Sequence, residues 1–185
     1  RDLDLFVANN GGPDFLYENN GDGTFNRIVT GDIVLQSTLA IGSSWGDVDN
    51  DGDLDLYVAT GFSPTNPARD RVNILYLNDG TGSFTSDSLS VAVADSGWSY
   101  GCSMADYDLD GDLDIMVARW QFETENNTLY RNDSPGTNHW IAFNCIGTES
   151  NNSAIGTRVT LFAAIGGAPV SQTREVSSQS GYCGQ

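Results

Sequence analysis

Asp47-Val48-Asp49-Asn50-Asp51-Gly52-Asp53-Leu54-Asp55, running directly into Leu56-Tyr57-Val58-Ala59, is the stretch that decides the fold. Its carboxylates stand at loop positions 1, 3, 5 and 9, with Gly52 at position 6 and the carbonyl of Asp53 at position 7. Oxygen donors on every second residue converge only if the chain curls around a common centre, and a glycine permits the sharp turn this requires. The apolar residues that follow read as a strand. The same pattern returns in Asp106, Asp108, Asp110, Gly111, Asp112 and Asp114, followed by Ile115-Met116-Val117-Ala118.

Working outward, the whole unit from Gly46 to Ala59 aligns with Ala105 to Ala118 without a gap, and Asp2-Leu3-Asp4-Leu5-Phe6-Val7-Ala8 reproduces its second half. A second element recurs downstream of each copy, as Phe15-Leu16-Tyr17-Glu18-Asn19-Asn20-Gly21, Ile74-Leu75-Tyr76-Leu77-Asn78-Asp79-Gly80 and Thr128-Leu129-Tyr130-Arg131-Asn132-Asp133. Each reads as a strand entering an Asn/Asp/Gly turn, with the alternation of a half-buried hairpin. No window shows sustained helical periodicity, and 21 glycines punctuate the chain. The expected class is therefore all-β, built from partial propeller blades: four-stranded antiparallel repeats with acidic loops over residues 1–133, the first truncated, then a small β-rich segment over 134–185. Such blades bury their faces only against neighbours, so two full units and part of a third cannot close a ring alone.

Carboxylates packed this tightly repel one another unless a cation neutralises them, which makes plain solvated turns the weaker reading. Calcium takes many oxygen ligands in flexible geometry, whereas magnesium keeps its waters; the donor set predicts two calcium sites, with a third, partial site at Asp2 and Asp4. The predicted ligands are Asp47, Asp49, Asp51, Asp53 and Asp55 in one loop and Asp106, Asp108, Asp110, Asp112 and Asp114 in the other. An EF-hand is excluded because position 12 is Val58 or Val117 instead of Glu and the exit is a strand. With eight Lys and Arg against 25 Asp and Glu, the 185-residue chain carries a net charge of −17, which repels nucleic acid and anionic membranes. No apolar run is long enough for a membrane helix.

These residues resemble the FG-GAP or VCBS repeat, whose Asp-x-Asp-x-Asp-Gly-x-x-Asp loop lies between strands of a propeller blade; the likeness covers residues 1 to about 133. Farther on, Asn138-His139-Trp140-Ile141, read as a strand, with Gly147 to Thr160, Arg174-Glu175-Val176 and Ser180-Gly181-Tyr182, is similar to the ASPIC/UnbV segment that follows such repeats in acidic secreted proteins of the cartilage acidic protein type. The resemblance implies an extracellular location, a role in adhesion or matrix contact, and no agreed catalytic residues. Arg1 stands where Gly52 and Gly111 stand in the other copies, and Cys183 replaces an expected aliphatic residue.

Other signals carry less. Gly42-Ser43-Ser44-Trp45-Gly46 satisfies a nucleophile-elbow pattern, but a loop instead of a helix follows it and His139 is the chain's one histidine. Trp45, Tyr57, Trp98, Trp120 and Phe122 read as core before they read as a glycan platform. Cys102, Cys145 and Cys183 allow one disulfide, Cys145 with Cys183, or three buried thiols. Asn126, Asn132 and Asn151 begin glycosylation sequons, the second weakened by Pro135. The leading expectation is a non-catalytic calcium-stiffened module that presents a surface to a protein or glycan. The alternative is a filament or sheath subunit that shares strands between copies, and a third reading is a piece of a polysaccharide-cleaving enzyme whose active site lies elsewhere.

Overall fold

A computed structural model describes residues 3–61, 72–120, 125–133, 140–149, 151–165 and 167–177. The first repeat supplies β1 (Leu5–Val7), β2 (Asn10–Pro13), β3 (Phe15–Asn19) and β4 (Phe25–Ile28), and a one-turn helix α1 (Asp32–Leu35) leads onward. The second consists of β5 (Ser37–Gly46), β6 (Asp55–Thr60), β7 (Ile74–Asn78) and β8 (Phe84–Asp87), followed by a second single turn, α2 (Val91–Ala94). The third contributes β9 (Ser99–Ala105), β10 (Asp114–Arg119) and β11 (Thr128–Tyr130), after which β12 (Arg158–Ile165) and β13 (Ala168–Glu175) form a hairpin.

All ladders between these strands are antiparallel. The second repeat is a four-stranded meander, β5-β6-β7-β8, and the described parts of the other two follow its order as β1-β3-β4 and β9-β10-β11. β2 pairs outside its own repeat, against β5, with Pro13 opposite Ser37. One repeat later, Val72 bridges Ser96 in the same way. Consecutive repeats are thus stitched at equivalent points, as stacked blades are, and the described residues do not close a ring.

Alternation along β6 explains how the stack coheres. Leu56 and Val58 face the first repeat and pack with Phe6, Leu16, Ile33, Val34, Ala40 and Tyr76. Tyr57 and Ala59 face the third and pack with Leu75, Ala92, Val93, Cys102, Ile115 and Val117. Both faces of the central strand are therefore dry, and each fully buried large side chain contributes roughly 1.5–3 kcal/mol. The hydroxyl of Tyr57, inside this core, donates to the carbonyl of Ala92 at 2.7 Å. Of the tryptophans, Trp98 is buried and Trp45 packs against the core, whereas Trp120 is half exposed at 54 %; Phe122 lies outside the described residues. The Cys102 thiol is buried among apolar groups, and burial pushes its pKa up to about 12, which makes it an inert packing group.

The structure adds one local feature and corrects one local expectation. The links between repeats contain single helical turns, and each buries two apolar residues, Ile33 with Val34 and Ala92 with Val93. Four residues are too few to produce a 3.6-residue periodicity. Trp140 and Ile141, expected in a strand, belong to no ladder among the described residues. The indole of Trp140 instead lies on Gly111, where a Cβ would collide with it. His139, the Cys145–Cys183 pairing and Ser180 to Tyr182 involve residues outside those described.

Candidate metal centre

Each aspartate loop joins an inner strand to the next, loop 1 (Asp47–Asp55) between β5 and β6 and loop 2 (Asp106–Asp114) between β9 and β10. Side-chain acceptors wind both of them. Asp47 Oδ2 accepts the Gly52 amide at 3.1 Å, and Asp106 Oδ2 accepts the Gly111 amide at 3.1 Å. Shorter turns close within the loops, where Asp51 Oδ1 accepts from the Asp53 amide and Asp110 Oδ1 from the Asp112 amide. Gly52 and Gly111 take the expected positive φ, 102° and 99°, and a second left-handed residue stands at loop position 4, Asn50 at 58° and Leu109 at 63°. The glycine alone was expected to turn the chain; the curl needs both.

This winding brings Asp47, Asp49 and Asp55 together, with one oxygen from each lying within 4.8 Å of the others, and does the same for Asp106, Asp108 and Asp114. Asp51, Asp53, Asp110 and Asp112 are not part of these two clusters. Asp53 lies against Gly80 in the β7–β8 turn, where a Cβ would strike its carboxylate, and Asp112 Oδ1 accepts from Asn50 Nδ2 at 2.6 Å. Asp2 is outside the described residues, and Asp4, the counterpart of Asp55, accepts the Asn19 amide at 2.9 Å.

Position 9 is the best-fixed carboxylate. Asp55 accepts the Val48 amide on Oδ2 and the Asn78 amide on Oδ1, both at 2.9 Å. Asp114 does the same with Tyr107 and Asn132. Asn19, Asn78 and Asn132 thus lock each loop's last aspartate to the following strand, and their own amides reach back to the carbonyls of Leu3, Leu54 and Leu113. Sequence reasoning missed this role, although all three occupy the same place in the repeated Leu-Tyr-x-Asn element. Asn132 also donates to the carbonyl of Val48 at 2.7 Å, so its amide is engaged and not free to carry a glycan.

The electrostatics match the geometry. Burial pushes the Asp55 carboxyl up to about 7, although its two amide bonds oppose the shift. Burial, with repulsion from Asp51, pushes Asp47 up to about 6, despite Arg174 nearby. Asp49 and Asp108 are also raised, each first by desolvation and then by a neighbouring aspartate. Oδ1 of Asp47 is buried with no hydrogen-bond donor among the described residues. Negative charge that is costly to bury without a counter-ion, together with an orphaned acceptor in an all-oxygen donor set, fits a hard divalent cation such as calcium.

A family model for the FG-GAP-like repeat matches residues 1–58 and again residues 65–117. The chain belongs to the FG-GAP-like repeat family. Each match reaches the strand that leaves an aspartate loop, β6 or β10, so the family pattern includes both candidate centres. FG-GAP-like repeats often bind calcium and are typical of extracellular proteins. The match ends at Val117 and does not extend to the segment from residue 134. No curated protein matches the chain.

Two further features adjoin the loops. The β12–β13 hairpin lies beside loop 1, where Gln172 Nε2 donates to the carbonyl of Gly52 at 2.9 Å and Arg174 comes within 3.8 Å of Asp47. Arg131 stands 3.8 Å from Asp108 in loop 2. Ser44, in the nucleophile slot of the elbow pattern, is buried within β5 opposite Tyr57. That is not the strand-to-helix elbow the motif requires. Among the described residues no helix is long and apolar enough to cross a membrane.

Proposed function

We propose that this FG-GAP-like chain is an extracellular calcium-binding module without catalytic activity, in which calcium stiffens consecutive repeats so that their loops present a fixed surface to a protein or a glycan. The observation that carries the reading is the paired convergence of Asp47, Asp49 and Asp55 and of Asp106, Asp108 and Asp114. In this reading Asp47, Asp49 and Asp55 hold one calcium ion and Asp106, Asp108 and Asp114 hold the other, each ion offsetting two of its cluster's charges. Asp51 and Asp110, with the carbonyls of Asp53 and Asp112, complete the donor sets. The net charge of −17 makes nucleic acid an unfavourable partner. The likeness of the segment from residue 134 to ASPIC/UnbV segments supports the extracellular assignment.

Calorimetric titration of the chelator-treated chain with calcium tests it: two ions should bind, with one lost in Asp47→Asn/Asp49→Asn and the other in Asp106→Asn/Asp108→Asn. Absence of binding in the unmodified chain overturns the reading.

One observation favours the alternative of a filament or sheath subunit. Met116 and Leu129 on the third repeat are 40 % and 46 % exposed, whereas Tyr57 and Leu75, their counterparts in the second, are 0 % and 4 % exposed. The outer face of the third repeat thus has the apolar character of an internal one without its cover. Light scattering with and without calcium separates the readings, since only a filament subunit polymerises.

A further inference from the structure

Two hydrogen-bonded paths cross from loop 1 to loop 2. In the first, Asn50, at position 4 of loop 1, donates its amide to Asp112 Oδ1 of loop 2 at 2.6 Å. In the second, Asp55 Oδ2 accepts the Val48 amide, the Val48 carbonyl accepts Asn132 Nδ2 at 2.7 Å, and the Asn132 amide donates to Asp114 Oδ1. Position 9 of one loop is therefore linked to position 9 of the other through the backbone of one residue, Val48, and one asparagine. Each bond that touches a carboxylate is charge-assisted, the stronger class of hydrogen bond.

We propose that the two loops are coupled cation sites, with Asn50 as the positioning residue through which a cation in loop 1 tightens binding in loop 2. This rests on the reading of the loops as calcium sites. Asn50 sits between Asp49 and Asp51 in a left-handed conformation, so an ion held by Asp47 and Asp49 fixes the peptide that carries the Asn50 amide. That amide in turn fixes Asp112, whose carbonyl stands at position 7 of loop 2. Ordering the second loop in advance lowers the conformational entropy lost when its own ion binds, and this is positive coupling. Repulsion between the ions opposes it only weakly. Each loop has five aspartates and so stays net negative after one divalent ion. Loop 2 has Leu109 where loop 1 has Asn50, in the same left-handed conformation and without an amide. Asn50→Leu therefore transplants a residue that this loop geometry already accommodates.

A double-mutant cycle reads the coupling. The four proteins are the unmodified chain, Asn50→Leu, Asp47→Asn/Asp49→Asn, and the combination, each titrated with calcium by calorimetry. Loop 2 occupancy is followed separately by terbium emission sensitised by Trp140, which lies on Gly111 of that loop. Silencing loop 1 should weaken loop 2 by about three- to tenfold, a coupling of about 1 kcal/mol. Asn50→Leu should weaken loop 2 by a similar factor, and silencing loop 1 in that background should add less than twofold. A merely structural Asn50 would leave the effect of silencing loop 1 intact. Independent, multiplicative effects, or equal loop 2 affinity in all four proteins, overturn the coupling while leaving the calcium reading in place. An unmodified chain that binds no cation overturns the calcium reading itself.

Discussion

Stripped of divalent cations, the folded chain should lose stability as the pH rises from about 5 to 8, and calcium should abolish that loss. Asp55 is fully buried and held up to about 7 by burial, against an ordinary value of 3.8. A folded-state pKa above the unfolded one means that the proton is bound more tightly in the folded chain. The stabilisation is complete below the unfolded value and is lost as the pH rises through the folded one. Between pH 5 and 7 that is about two units, or about 3 kcal/mol at 1.36 kcal/mol per unit. Asp47, pushed up to about 6, shares the cluster and titrates with Asp55, so its contribution is not added. For a chain of this size 1 kcal/mol moves Tm by about 2–4 °C, which gives a fall of roughly 6–12 °C in chelator. Starting at pH 5 avoids precipitation near the pI of 4.1. Asp95, where bonds from Arg119 and Tyr130 outweigh burial and hold the carboxyl down, acts with the opposite sign, but below the ordinary carboxylate range and outside this window. Thermal unfolding followed by circular dichroism, at unit pH steps with chelator or with millimolar calcium, measures both curves. A chelator curve that is flat or rises with pH would show that the buried acids of loop 1 are not under electrostatic stress, and the argument for a cation there would fail with it.

Three further outcomes follow from single contacts. Gly111→Ala should expel Trp140 and strain a backbone held at φ 99°, costing about 1–3 kcal/mol and shifting tryptophan emission to the red; unchanged emission would place the indole elsewhere. Asp14, a buried acid raised by burial and bonded to the Asn9 amide and the Thr38 hydroxyl, occupies the place that Asn73 and Asn127 hold in the other repeats. Asp14→Asn should therefore be neutral or stabilise by up to about 1 kcal/mol at pH 7, and a loss above 2 kcal/mol in urea unfolding would contradict this. Arg174→Gln removes a positive charge beside Asp47 and should tighten calcium binding in loop 1 by a few fold while making the β12–β13 hairpin more susceptible to protease. Equal affinity and equal protection would make that ion pair incidental.

Much of the architecture is legible in residue order because it is written in local periods. The strand pairs β3–β4 and β7–β8 fall where Asn, Asp and Gly interrupt alternating apolar residues, and β6 and β10 begin at the last aspartate of each loop. The single turns Asp32–Leu35 and Val91–Ala94 were not legible, since one turn leaves no period to detect. The pairing of β2 with β5 was equally hidden, because it joins segments of different repeats and no local pattern marks it.

The same division runs through the candidate centre. Sequence by itself determined the repeat, the all-β class and the donor chemistry, because all of these follow from residue type and spacing along a few neighbouring residues. Only the tertiary structure decided that Asp47, Asp49 and Asp55 converge while Asp53 and Asp112 turn to other partners, that asparagines from later strands clamp position 9, and that Asn50 and Arg174 reach the loops from their own places in the fold. Those contacts join residues up to 127 positions apart, Arg174 to Asp47 being the longest, and they exist only once stacked sheets have brought the segments together.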